Sequence, residues 1–147
     1  MRKVQFNMPL NGFESICNKD AAQIVSRDQG NPQYHKGNNR RKVYVTHYKI
    51  DGVVIKSGVR CDYLLINEEA QIAYLIELKG SDLVKAAEQL EATEKALMQE
   101  LFDYSLQYRI VANKCRTQEI RSAAYRRYQI RWRGRLVQKT GFIEEDI

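Results

Sequence analysis

The stretch IAYLIELKG, residues 72–80, decides how this chain folds. Tyrosine, isoleucine and leucine dominate it, which is typical of a buried β-strand ended by a turn residue. Because strand side chains alternate between two faces, Glu77 and Lys79 share a face with Ala73 and Leu75. An acid and a base on an otherwise apolar strand need a reason, so they are the first candidates for a functional site.

A second strand, RCDYLLIN (60–67), precedes the first one. The polar residues 67–70 between them predict a hairpin turn that pairs Ile66 with Gln71. The faces of the strand depend on this register, because a slip of one residue would turn every side chain to the other side.

In the predicted register, Asp62 lies opposite Leu75 and diagonal to Glu77. Diagonal neighbours across a sheet lie about 7–8 Å apart. Two carboxylates at that separation can converge on one cation, and oxygen ligands of this kind suit Mg²⁺ or Mn²⁺. The cation can activate water for phosphodiester hydrolysis, and the Lys79 ammonium can hold that water or stabilise the transition-state charge.

A Glu-x-Lys pair is weak by itself, since chance gives about one in a chain of this composition. The alternative to a catalytic role is that Glu77 and Lys79 form a salt bridge at a solvated strand end. The preceding strand with Asp62 and the helix predicted from Asp82 onwards favour the catalytic interpretation. That helix carries an apolar stripe at helical spacing, and its last member is Leu101.

The order of Asp62, hairpin, Glu77-Leu78-Lys79 and long helix resembles the PD-(D/E)XK nuclease superfamily, which includes restriction endonucleases and archaeal Holliday junction resolvases. The resemblance covers about residues 43–113. The residue before Asp62 is Cys61, where the motif has proline.

The resemblance implies a Mg²⁺-dependent nuclease, in which Mn²⁺ can substitute as the cofactor. It implies that Asp62, Glu77 and the Leu78 carbonyl bind the metal, and that Lys79 positions or activates the water. Gln89 matches a residue that many relatives place in the following helix, although a surface glutamine fits equally well. Glu14 is an additional candidate acid from the first helix.

The expected fold is a single α/β domain over residues 1–147, with a mixed central β-sheet flanked by helices. The resemblance gives this core, over about residues 10–113, the order α-βββ-α-β. The first helix is predicted at 10–26, and strands are predicted at 43–50, 60–67, 72–80 and 108–113. The strand–helix–strand order at the end of the core predicts local parallel pairing.

The net charge of +6 is unevenly distributed. Residues 1–60 carry +7 and residues 105–147 carry +6, whereas the central segments 61–81 and 82–104 carry −3 and −4. Basic segments on both sides of the motif suit a polyanionic partner.

Two basic regions are candidates for nucleic-acid binding. Arg40, Arg41 and Lys42 close the polar loop 27–42, where a solvated loop tip is the alternative. The C-terminal region 114–139 is predicted to form a helix over 117–129, with Arg121, and a strand over 130–137. In that strand Arg131, Arg133 and Arg135 share a face and can track phosphates, or they can protect an edge strand from aggregation.

Three widely spaced cysteines predict neither a disulfide framework nor a zinc site. No apolar run is long enough to cross a membrane, and the first residues do not resemble a signal peptide. A cytoplasmic protein with reduced thiols is expected.

The sequence therefore predicts a metal-dependent endonuclease that acts on nucleic acid, with DNA favoured over RNA as the substrate. Phage defence or DNA recombination and repair would suit such an enzyme by analogy. A homodimer or a partner protein is expected from its small size. The alternative is a non-catalytic nucleic-acid-binding module on the same fold.

Overall fold

The computed structural model describes residues 10, 12–79 and 82–147, with only the main chain of Lys79. In chain order the elements are β1 (Gln23–Ser26), β2 (Tyr34–Asn38), β3 (Val45–Lys49), β4 (Tyr63–Asn67), β5 (Ile72–Lys79), α1 (Leu83–Ala96), β6 (Ser105–Ala112), α2 (Thr117–Ile120), α3 (Ala123–Arg131), β7 (Leu136–Thr140) and β8 (Phe142–Asp146).

Five strands form the main sheet in the order β3-β4-β5-β6-β7. β3, β4 and β5 are an antiparallel meander, whereas β6 lies parallel to β5 and β7 lies parallel to β6. The predicted mixed sheet and the parallel strand–helix–strand crossover are therefore confirmed.

The capping residue Asp82 fixes where the crossover helix α1 begins, and an apolar stripe fixes which face of it is buried. The Asp82 side chain caps α1 by accepting a hydrogen bond from the Lys85 N–H at 3.0 Å. Leu83, Ala87 and Leu90 are buried at helical spacing against the main sheet. α1 has 14 residues, and no described helix is long and apolar enough to cross a membrane.

A second sheet, which the sequence did not predict, has the order β1-β2-β8. β1 and β2 are antiparallel, and β8 at the chain end lies parallel to β2. The polar segment 27–42 is therefore not one long loop, because its centre forms β2. The expected layout of a single sheet flanked by helices is also wrong, since α1 covers one face of the main sheet and the second sheet packs against the other.

The predicted first helix at 10–26 is wrong for the described part of that segment, which forms turns followed by β1. In β1 the buried residues Ile24 and Ser26 alternate with exposed ones, which is the period of a strand. Pairing with β2 satisfies the main chain there and overrides the imperfect helical spacing.

The C-terminal elements also differ from the prediction. Helical structure divides into α2 and α3, and α3 continues to Arg131. The predicted strand at 130–137 is wrong, because the chain turns after Trp132 and β7 starts only at Leu136. The turn contains Gly134 at φ +78°, a conformation that glycine adopts without strain.

The two sheets approach each other closely. A Cβ placed on Gly37 of β2 would lie 2.8 Å from Cδ2 of Leu65 on β4. The layer between the sheets is filled by apolar side chains that include Ile24, Tyr74 and Ile143. Cys17, Cys61 and Cys115 are all free thiols.

Candidate functional site

The hairpin that carries the candidate acids has a register different from the predicted one. Asn67 pairs with Ile72 and Leu64 pairs with Leu75, so the turn lies at 68–71 and the pairing is shifted by two residues. A shift of two leaves each side chain on its predicted face. The last pair of the ladder is Tyr63 with Ile76, and the residues that follow this pair are Asp62 and Glu77. The two acids are therefore adjacent across the strands instead of diagonal.

The ladder becomes irregular at Asp62. Its N–H donates to the Ile76 carbonyl at 3.1 Å, and its carboxylate Oδ2 accepts a hydrogen bond from the Leu78 N–H at 2.7 Å. The Asp62 carboxylate therefore lies against the peptide that joins Glu77 to Leu78. In a strand the N–H and C=O of one residue point to the same neighbour, so the Leu78 carbonyl is directed to this side of β5 as well.

Both acids are largely withdrawn from solvent. Glu77 is 0 % exposed and Asp62 is 7 % exposed. Leu75, two positions before Glu77, packs into the core beneath α1, so Glu77 lies on the helix-covered face of the main sheet. The Leu78 N–H holds the Asp62 carboxylate beside it. Burying ionised carboxylates is costly unless other groups compensate the charge, so this arrangement favours a cation or hydrogen-bond donors at the site.

The buried thiol of Cys61 lies close to both acids. Burial raises its pKa, and the nearby Glu77 and Asp62 carboxylates raise it further. The Cys61 N–H donates to Thr93 Oγ1 of α1 at 2.7 Å. The thiol is therefore held as a neutral packing group, and the main chain of Cys61 is fixed to α1.

Gln89 lies one turn before Thr93 on the same side of α1. Its Nε2 donates to the Arg60 carbonyl at 3.2 Å, and its Oε1 is buried without a hydrogen-bond partner among the described residues. It thus contacts the segment that leads into Asp62.

Lys79 occupies the predicted strand position, where its main chain pairs with Ala112 of β6. Its side chain lies outside the described residues. Glu14 is exposed and lies in no helix. The neighbouring Ser15 accepts a hydrogen bond from the His47 N–H of β3, which places Glu14 beside a strand two positions away from β5.

The basic residues expected to bind nucleic acid do not form one row. Arg40 pairs with Asp146 at 2.8 Å, and Arg131 forms ion pairs with Glu91 and Glu94 of α1. Arg135 lies over the Tyr108 ring, 5.5 Å from its centre. The remaining candidates are exposed, and no ion pair is recorded for them within the described ranges: Arg41, Lys42, Arg121 and Arg133.

A buried ionic cluster between the two sheets was missed by the sequence analysis. Glu145 of β8 accepts from both Arg109 of β6, at 2.7 and 2.9 Å, and the His35 ring of β2, at 2.7 Å. These hydrogen bonds and charges lower the pKa of Glu145 to about 2, although burial opposes the shift. Local sequence carries no signal for it, since the three residues come from distant strands.

Among the residues that the structure describes, no group of three histidine, cysteine or acidic side chains is arranged to hold a metal ion. A cation held by Asp62, Glu77 and the Leu78 carbonyl would have two carboxylates and one main-chain carbonyl as protein ligands. Mg²⁺ commonly keeps several waters and uses one or two carboxylates, so this donor set suits it better than it suits zinc.

Comparisons with protein-family models, with curated proteins and with solved structures found no match to this chain. The geometry of the chain itself is therefore the basis for inferring a function.

Proposed function

We propose that the protein is a Mg²⁺-dependent nuclease that hydrolyses phosphodiester bonds of DNA rather than RNA. The observation that carries the proposal is the 2.7 Å hydrogen bond from the Leu78 N–H to the Asp62 carboxylate. It brings Asp62, which directly precedes β4, to the Glu77–Leu78 peptide of β5.

The order of the elements supports the same proposal. β3, β4, β5, α1 and β6 run as three antiparallel strands, a helix and a parallel strand. The βββαβ part of the expected nuclease core has this order, although the described residues before β1 contain no helix. The likeness to PD-(D/E)XK nucleases therefore rests on the meander, the crossover and the acids.

Each residue has a distinct proposed role. Asp62, Glu77 and the Leu78 carbonyl would hold the metal, whose chemistry when bound would be to activate a water and offset charge on the phosphate. The Leu78 N–H orients the Asp62 carboxylate. Lys79 positions the attacking water, and Gln89 holds the segment around Arg60 in place.

Cleavage assays provide the test. Supercoiled, linear, branched and single-stranded DNA, together with RNA, are incubated with Mg²⁺ or Mn²⁺. Wild type is compared with Asp62→Asn, Glu77→Gln and Lys79→Ala. We expect DNA cleavage by wild type and a loss of about 100-fold or more in the first two variants, since even residues behind metal ligands contribute 10- to 100-fold.

The matched control is Glu69→Gln, which removes an exposed carboxylate from the turn of the same hairpin. It should cleave at the wild-type rate. Equal cleavage by wild type, Asp62→Asn and Glu77→Gln would overturn the proposal. Binding of DNA by all proteins with no cleavage under any condition would instead support the non-catalytic module.

A further inference from the structure

Basic segments lie on both sides of the two acids at one end of the main sheet. Because β5 and β6 are parallel and β4 is antiparallel to them, the start of β4 and the ends of β5 and β6 lie at one edge. That edge holds Asp62 and Glu77, and we call it the site edge.

Two basic segments reach the site edge from either side. Segment 49–60 connects β3 to β4 and has Lys49, Lys56 and Arg60 against Asp51, a net charge of +2. Segment 113–121 leaves β6 just after Ala112, the partner of Lys79. Its basic residues exceed its one acid by two, and they are Lys114, Arg116 and Arg121.

Two loops at the opposite edge are acidic, whereas the segments that lead into β3 and β7 at that edge are basic. The β4–β5 turn at 67–71 and the α1–β6 connection at 97–104 each have two acids and no lysine or arginine. The hydrogen bond from the Ser105 N–H to the Gln71 carbonyl, 2.8 Å, shows that these loops adjoin each other. The two basic segments beside Asp62 and Glu77 attract an anionic polymer, and these two acidic loops repel it.

Arg133 and Arg135, in the turn between α3 and β7, lie at the edge of the main sheet away from Asp62 and Glu77. β7 is parallel to β6, so residues 133–135, which precede it, lie at the edge opposite the site. Arg131 is also neutralised by Glu91 and Glu94. By contrast, Lys56, Lys114, Arg116 and Arg121 are exposed and have no recorded ion pair in the described chain.

We infer that the sugar–phosphate backbone of a nucleic acid crosses the site edge from segment 49–60 to segment 113–121, over Asp62 and Glu77. This inference rests on the proposed function for the identity of the polyanion. Three strand spacings separate β3 from β6, about 14 Å. That span matches about four base pairs of duplex, so the two segments contact phosphates on both sides of the bond at the site.

Binding measured without a metal tests the inference separately from cleavage. A fluorescein-labelled duplex of about 20 base pairs is titrated in EDTA, with fluorescence anisotropy followed between about 50 and 200 mM KCl. The double variant Lys56→Gln/Arg116→Gln removes one charge from each segment. Both side chains are exposed, and Arg116 makes no side-chain capping bond to α2, so the fold is retained.

The matched control is Lys95→Gln/Arg133→Gln, which removes the same charge from exposed positions at the opposite edge. We expect the first double variant to reduce the slope of log K against log salt by about 2, because each phosphate contact contributes about 0.9. The control should keep the wild-type slope.

The inference is overturned if the control loses as much slope as the first variant, if the first variant keeps the wild-type slope, or if wild type does not bind DNA. If only the first double variant reduces the salt slope but no protein cleaves DNA in Mg²⁺ or Mn²⁺, the proposed nuclease activity would be contradicted. The inferred binding surface would still be supported.

Discussion

Arg109 and Glu145 form a bidentate ion pair that ties the main sheet to the last strand of the chain, with nitrogen–oxygen distances of 2.7 and 2.9 Å. Arg109 is only 6 % exposed. Its guanidinium also lies 5.3 Å from the centre of the Tyr74 ring. The pair therefore holds the second sheet against the face of the main sheet opposite α1.

Replacing Glu145 with glutamine should destabilise the protein by about 3–5 kcal/mol, since it leaves a buried guanidinium without its counter-charge. Urea unfolding measures the change. Glu144→Gln is the matched control, because its partner Lys36 lies 3.7 Å away and both side chains are partly exposed. The control should cost less than about 1 kcal/mol. Similar small effects in both variants would contradict a structural role for the Arg109 pair.

Stability should fall in acid over two successive pH ranges. Burial, assisted by the nearby His35, lowers the pKa of His47 to about 4 from an ordinary 6.5. The unfolded chain therefore takes up a proton before the folded one, and stability is lost as pH falls from 6.5 to about 4. At about 1.4 kcal/mol per pKa unit, the loss is about 3 kcal/mol.

Glu145 is responsible for the loss of stability over the lower pH range. Its folded pKa of about 2 lies below the ordinary 4.5, so its contribution is present above pH 4.5 and is lost between 4.5 and about 2. Thermal melts at half-unit pH steps should show both losses. Glu145→Gln should remove only the lower one and His47→Asn only the upper one, so an unchanged profile in either variant would contradict the assignment.

The Asp62–Leu78 bond separates a structural effect from a chemical one. Asp62→Asn keeps an oxygen that accepts from the Leu78 N–H, whereas Asp62→Ala leaves that buried donor unsatisfied. The free energy of unfolding of Asp62→Ala, measured with urea, should therefore be about 1–3 kcal/mol lower than that of Asp62→Asn. Both should lose Mg²⁺-dependent cleavage. Equal stability of Asp62→Asn and Asp62→Ala would contradict a stabilising hydrogen bond from the Leu78 N–H to the side-chain oxygen of residue 62.

Much of the main sheet follows from local patterns. The apolar runs of β4 and β5 and the helical stripe of α1 are readable because each buries residues at its own period. The hairpin register was wrong by two residues, yet the side chains of β4 and β5 kept their predicted faces, because an even shift does not change which side a strand residue points to. Asp62 precedes β4, and the hydrogen bond from the Leu78 N–H brings its carboxylate to Glu77.

The C-terminal region shows where two periods compete. Ile130, Trp132 and Leu136 suit a strand, but Tyr125, Tyr128 and Trp132 are also spaced for a helix. Trp132 is buried against Tyr108, with ring centres 4.0 Å apart. That tertiary contact favours the helix and moves Arg133 and Arg135 away from the site.

The sequence by itself determined the strand faces and the crossover helix, because these depend on neighbours along the chain. Only the tertiary structure decided the second sheet, since residues 34–38 and 142–146 pair across about a hundred positions and neither has a strong local pattern. It alone also decided which basic segments reach Asp62 and Glu77, because strand order and direction bring distant loops to one edge of the sheet.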